Sequence, residues 1–217
     1  TFYVTARDKY GITGTSSVVS VGANVTCGSP ITSSMTLQEN VDCTNSGGIG
    51  LNITADSISL NCAGYNIIGN GSDQGLYFNG VSNARAYNCV VNNFSSGVYF
   101  DSATSCNISG TFMNNELGIN DAGTTNKILT SNMTSNTWGL NGTSTTTSWI
   151  VLSRNVITNS NISLTGSIQF SNDGYLEVRN SHIWFNGTML SVTGNITALS
   201  QTQTNLTANL STELDFY

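Results

Sequence analysis

Apolar residues in this chain come in short runs, broken by Asn, Ser, Thr and Gly. Leu76-Tyr77-Phe78, Val98-Tyr99-Phe100 and Cys89-Val90-Val91 are β-branched or aromatic runs of strand length, and no stretch shows the 3.6-residue period of an amphipathic helix. One unit returns along the chain. Gly75-Leu76, Gly97-Val98, Gly118-Ile119 and Gly139-Leu140 follow one another at roughly 21 to 22 residues, a solenoid period. Asn92-Asn93, Asn114-Asn115 and Asn136-Thr137 precede three of these glycines and are expected to stack their side chains from turn to turn. The pattern predicts an all-β parallel β-helix, each short strand pairing with its equivalent about 4.8 Å above and below.

Particular motifs sharpen this. Cys27-Gly28, Ile31, Leu37, Val41, Cys43 and Gly48-Ile49-Gly50-Leu51 are followed by Cys62, Gly64, Tyr65, Ile67, Gly69 and Gly71. Over residues 27 to about 145 the chain resembles the secreted right-handed parallel β-helix superfamily, with its NosD-like and pectate-lyase-like members. The resemblance implies a right-handed coil and a disulfide between Cys27 and Cys43 in the opening turn. These motifs are structural, so they speak to architecture before activity. Cys62 and Cys89 each follow Asn and precede an apolar run, which predicts one column on adjacent turns. Side chains in such a column point parallel, a geometry that strains a bridge, so both are expected as buried free thiols. Cys106 has no assigned partner.

The ends depart from the repeat. In residues 1–22, Phe2, Val4 and Ala6 alternate with Tyr3, Thr5 and Arg7, the pattern of a half-buried strand. That strand either folds back as a cap or is donated to a neighbouring subunit's sheet. The chain starts at Thr1 without Met or a signal-peptide pattern, the start expected of a processed chain. Residues 23–217 form the β-helix domain, with a register that the pattern does not set beyond 145. The strand-like pieces after Trp149 are either further coils or a sheet covering the open end.

Composition narrows the functional classes. Only six Lys and Arg stand against twelve Asp and Glu, without a basic patch, so nucleic acid is excluded as a partner. No apolar run of about 20 residues predicts a transmembrane span. Solubility therefore rests on neutral Asn, Ser and Thr. Asn-X-Ser/Thr sequons begin at Asn24, Asn52, Asn70, Asn93, Asn107, Asn132, Asn141, Asn161, Asn186, Asn195, Asn205 and Asn209. A chain this rich in Asn, Ser and Thr generates sequons by chance; used, they make it a heavily N-glycosylated extracellular protein.

Candidate chemistry is sparse. His182, the only histidine, lies in an alternating strand with no nucleophile elbow nearby and is expected to be structural or surface-exposed. Asp101 follows Gly97 and Asp121 follows Gly118, a spacing that could bring two carboxylates together for polysaccharide hydrolysis. Asp73 and Glu116 are further acidic candidates, and Arg85 is the only nearby base. Asp is also a common turn residue. Tyr77, Tyr99, Trp138, Trp149 and Trp184 make either a sugar-stacking stripe or stacking filler. We assign no catalytic residue, metal or cofactor. The leading expectation is a structural subunit of an extracellular surface assembly or filament, partnered by copies of itself through residues 1–10. The alternative is a polysaccharide-active enzyme or carbohydrate-binding module.

Overall fold

The structure is a computed structural model that describes residues 5–7, 13–15, 25–143, 149–153, 155–165, 167–170, 175–179, 182–185, 188–190 and 195–199. Regular structure among them is entirely β, wound as a parallel β-solenoid of about six turns. One wall is a sheet in which Ser29–Ile31, Leu51–Ile53, Gln74–Asn79, Ser96–Thr104, Leu117–Thr124, Trp138–Thr143, Asn161–Thr165 and Ile183–Phe185 pair successively in parallel. The rest of each turn lies in a second sheet. There it is either one long strand, as in Arg85–Asn92 and Asn107–Met113, or two short ones, as in Ser59–Asn61 with Asn66–Ile68.

Strand alternation places the core. Leu51, Leu76, Val98, Ile119, Leu140, Ile162 and Ile183 stand in register and are buried. A second inward column runs Ile53, Phe78, Phe100, Asp121, Gly142 and Leu164, with Phe78 and Phe100 rings 4.6 Å apart. The repeat read between Gly75 and Leu140 thus continues to Ile183, beyond the point where the pattern left the register unset.

The glycine preceding each inward residue has a packing cause. A methyl group on Gly97 would sit 2.6 Å from the Gly118 carbonyl oxygen, and one on Gly118 2.5 Å from that of Gly139. The chain turns a corner here so closely that side chains do not fit.

Asparagines line the same corner, but the three sequence dipeptides do not share one register there. The buried column is Phe94, Asn115, Asn136 and Ser160. Phe94 N–H donates to Asn115 Oδ1 at 2.9 Å, Asn115 N–H to Asn136 Oδ1 at 2.9 Å, and Asn136 N–H to Ser160 Oγ at 2.9 Å. The residues one place earlier, Asn93, Asn114, Ser135 and Asn159, all have left-handed φ. Two other bends repeat the device: before the Asn107 and Lys127 strands Asn126 accepts from Cys106 N–H, and before the Asn132 and Val156 strands Asn155 accepts from Ser131 N–H. Each amide satisfies a backbone donor that the bend removes from the sheet ladder.

Cys27 is bonded to Cys43, with Cα atoms 5.4 Å apart. Cys62 is bonded to Cys89 with Cα atoms 4.8 Å apart, which overturns the expectation of two free thiols. That expectation assumed an unbroken strand with parallel side chains. Instead Asn88 has φ +54° and the parallel register shifts between Ala86 and Cys89, turning Cys89 toward Cys62. Cys106 is free and buried, its thiol pushed up by burial.

The ends are built differently. Thr5–Arg7 pairs antiparallel with Thr13–Thr15, Ala6 opposite Gly14, as a separate two-stranded sheet; Phe2 and Val4 lie outside the described residues. At the other end the chain reverses. Thr188–Leu190 pairs antiparallel with Ile183–Phe185, and Asn195–Leu199 antiparallel with Tyr175–Arg179. The C-terminal part is therefore further coils, followed by strands that run in reverse.

Candidate functional site

The richest outward surface is that of the first sheet. Its outward column runs Asn52, Tyr77, Tyr99, Asn120, Asn141, Ser163 and Trp184. The parity of the strand presents these residues outward because their neighbours Ile53 and Phe78 point in. Tyr77 and Tyr99 stack with ring centroids 5.7 Å apart. Small Asn and Ser side chains then interrupt the aromatic column.

Farther along, Trp138 and Trp184 meet edge to face at 5.0 Å, and His182 lies 5.8 Å from Trp184. His182 is exposed and its N–H donates to Asn161 Oδ1 at 3.2 Å, as expected of a surface residue. The predicted aromatic stripe is therefore two clusters. Trp149 belongs to the other sheet, in the Trp149–Ser153 strand.

The two principal carboxylates do not converge. Asp101 is in register with Ala122, and Asp121 with Phe100, so one faces out and the other in. Asp101 Oδ2 accepts the Tyr77 O–H at 2.6 Å. That bond, with partial burial and the carboxylate charge, pushes the Tyr77 phenol up to about 12. Asp121 is buried; its Oδ1 accepts from Asn126 Nδ2 at 2.8 Å and Gly123 N–H at 3.0 Å. Burial raises its pKa against the opposing pull of these bonds.

The remaining candidates are engaged separately. Asp73 accepts from Gly48 N–H at 3.0 Å, Glu116 from Ser95 Oγ at 3.3 Å, and Arg85 Nε donates to Ser59 Oγ at 2.8 Å. Among the described residues no three His, Cys, Asp or Glu side chains gather as a metal site would require. Nor does any helix there reach the length and apolarity of a membrane span.

An open groove of about 570 Å³ lies over the second sheet, floored by Cys89, Val90, Gly110 and Thr111 and edged by Asn88 and Asn132. It follows from the same register shift that turns Cys89. The sequence offered no signal for it, because a bulge between two strands depends on both. Its lining is small and neutral, suited to shape contacts rather than acid–base chemistry.

The sequons divide by environment. Asn70, Asn93 and Asn132 are exposed, while Asn52, Asn107, Asn141 and Asn161 are half-buried. Asn24, Asn186, Asn205 and Asn209 lie outside the described residues, and Asn195 opens the final strand. No protein-family model, curated protein or solved structure matches the chain.

Proposed function

We propose that the chain is a structural subunit of an extracellular, N-glycosylated surface assembly or filament built from copies of itself. The observation that carries this reading is the pair of disulfides, Cys27–Cys43 and Cys62–Cys89, clamping the first turns of a solenoid. Disulfides of this kind persist in oxidising compartments outside the cell. The neutral surface and the density of sequons point the same way.

Residues 1–10 supply the proposed joint, by strand addition to the next copy. Electron microscopy of native material, with and without these residues, tests the proposal. Fibres or arrays that disappear on deletion are expected. Isolated particles from both chains would refute it.

A second reading is carbohydrate binding on the first sheet, favoured by the stacked Tyr77–Tyr99 pair and the Trp138–Trp184 pair. Aromatic rings spaced along a flat sheet suit the apolar faces of sugar rings. Polysaccharide titration followed by tryptophan fluorescence discriminates it: a saturable change abolished by Trp184→Ala supports binding, and an unchanged spectrum rejects it.

A further inference from the structure

We propose that among the described sequons Asn70, Asn93 and Asn132 carry N-linked glycans, while Asn52, Asn107, Asn141 and Asn161 stay unmodified. This selection rests on the extracellular reading above for its setting, but its geometry stands independently.

Modification joins the asparagine Nδ2 to the anomeric carbon of an oligosaccharide carried on a lipid (pyro)phosphate. Nδ2 gives up one proton, the new C–N bond forms, and the sugar–phosphate bond breaks with its electron pair leaving on the lipid phosphate. No oxidant or reductant is needed. The amide must reach the transferase, and the sugar must then find room outside the fold.

Two sequons are half-buried with one end of the amide sealed. Asn52 and Asn107 each have an amide oxygen closed off from solvent with no hydrogen-bond partner. Exchanging oxygen and nitrogen in either amide would leave the closed end closed. Two others are set apart by burial, being half-buried on the first sheet where Asn70, Asn93 and Asn132 are exposed. Asn141 Nδ2 donates to Asn120 Oδ1 at 3.1 Å, and Asn141 stands in register between Asn120 and Ser163. Asn161 Oδ1 accepts the His182 N–H at 3.2 Å and lies 3.4 Å from the His182 ring nitrogen.

The other three are open. Asn70 sits in a turn with Gly71 at φ +90°, and its Oδ1 accepts both the N–H (3.2 Å) and the O–H (2.6 Å) of Ser72, the hydroxyl residue of its own sequon. No acceptor among the described residues engages its Nδ2. Asn93 stands at a corner with φ +60° and spends one amide hydrogen on the Gly69 carbonyl at 2.8 Å, which leaves the second for replacement. Asn132 edges the groove, exposed and with no side-chain hydrogen bond among the described residues. Asn70 and Asn93 occupy one corner on adjacent turns, where Gly71 N–H donates to the Asn93 carbonyl at 2.7 Å. The sugars would then gather at that corner and on the second sheet, leaving the aromatic face of the first sheet bare.

The test is glycopeptide mapping by mass spectrometry of the full chain, both native and made in a host whose transferase modifies a co-expressed control glycoprotein. Glycans at Asn70, Asn93 and Asn132 are expected, with Ser72→Ala, Ser95→Ala and Thr134→Ala each removing one glycan mass. The reduced, alkylated and unfolded chain, offered to purified transferase and lipid-linked donor, should additionally gain sugar at Asn52 and Asn107. A glycan on Asn52, Asn107, Asn141 or Asn161 in the folded protein overturns the proposal, as does a control that is modified while Asn70, Asn93 and Asn132 are not. Native protein without sugar, alongside the expected pattern in the host, refutes the extracellular reading and leaves the site order intact.

Discussion

Asp121 is the residue most at odds with its surroundings. It occupies an inward position in register with Phe100, and burial raises its pKa, so it holds its proton more tightly in the folded chain than in the unfolded one. Its contribution to stability is complete below the unfolded value near 3.8 and is lost as pH rises through the elevated folded value. Asp121→Asn keeps the Oδ1 acceptor for Asn126 and Gly123 while removing the charge. The variant should gain stability relative to the parent at pH 7 and not in acid, measured by denaturant unfolding at both pH values. Tyr77 gives the complementary case at high pH. Its hydrogen bond to Asp101 contributes fully below pH 10 and is lost as pH climbs toward about 12. An ultraviolet titration should find one tyrosine ionising near 12, and Asp101→Asn should return it toward the ordinary range. The opposite facing of the two aspartates was legible beforehand. Asp101 lies four residues after Gly97, whereas Asp121 lies three after Gly118, and strand parity separates them.

At the scale of the element, the corners decide whether a turn can be built. Asn136 takes the Asn115 N–H and gives its own amide to the Phe112 carbonyl at 2.9 Å, all of it buried. Asn136→Ala should cost about 1–3 kcal/mol, since the partners it leaves are sealed from water. Asn136→Asp tests the donor separately, because the carboxylate can accept but not give. Gly118→Ala should be as damaging or worse, with the Gly139 carbonyl standing where the methyl must go. The glycine period was readable because a close approach tolerates one residue type. The asparagine column was readable only to within one place: Asn92-Asn93, Asn114-Asn115 and Asn136-Thr137 do not share a register. Local chemistry favours Asn at either the left-handed position or the buried one, and packing chooses between them. The Cys62–Cys89 bond was hidden for a related reason, because a single left-handed Asn88 reverses a parity that composition cannot reveal.

For the whole molecule, the disulfides lie at the N-terminal side of the stack, Cys27–Cys43 closing the opening turn and Cys62–Cys89 tying two neighbouring turns. The Cys62–Cys89 bond spans 27 residues, for which chain entropy predicts a contribution of roughly 3–4 kcal/mol. Cys62→Ser with Cys89→Ser should lower the unfolding midpoint accordingly in oxidising buffer and make it less responsive to reductant. Stacked order beyond Asn155 has no such clamp among the described residues and relies on the continued hydrophobic columns. The two ends differ more deeply. Among the described residues Ser29–Ile31 is the edge of a parallel sheet, while Thr188–Leu190 and Asn195–Leu199 run against the direction of the turns before them. A coil of the same hand and register can be templated on the first edge but not on the second. The molecule is therefore a vector: copies joined through their edges would all point one way, and a thread made from them would have a growing tip and a finished one.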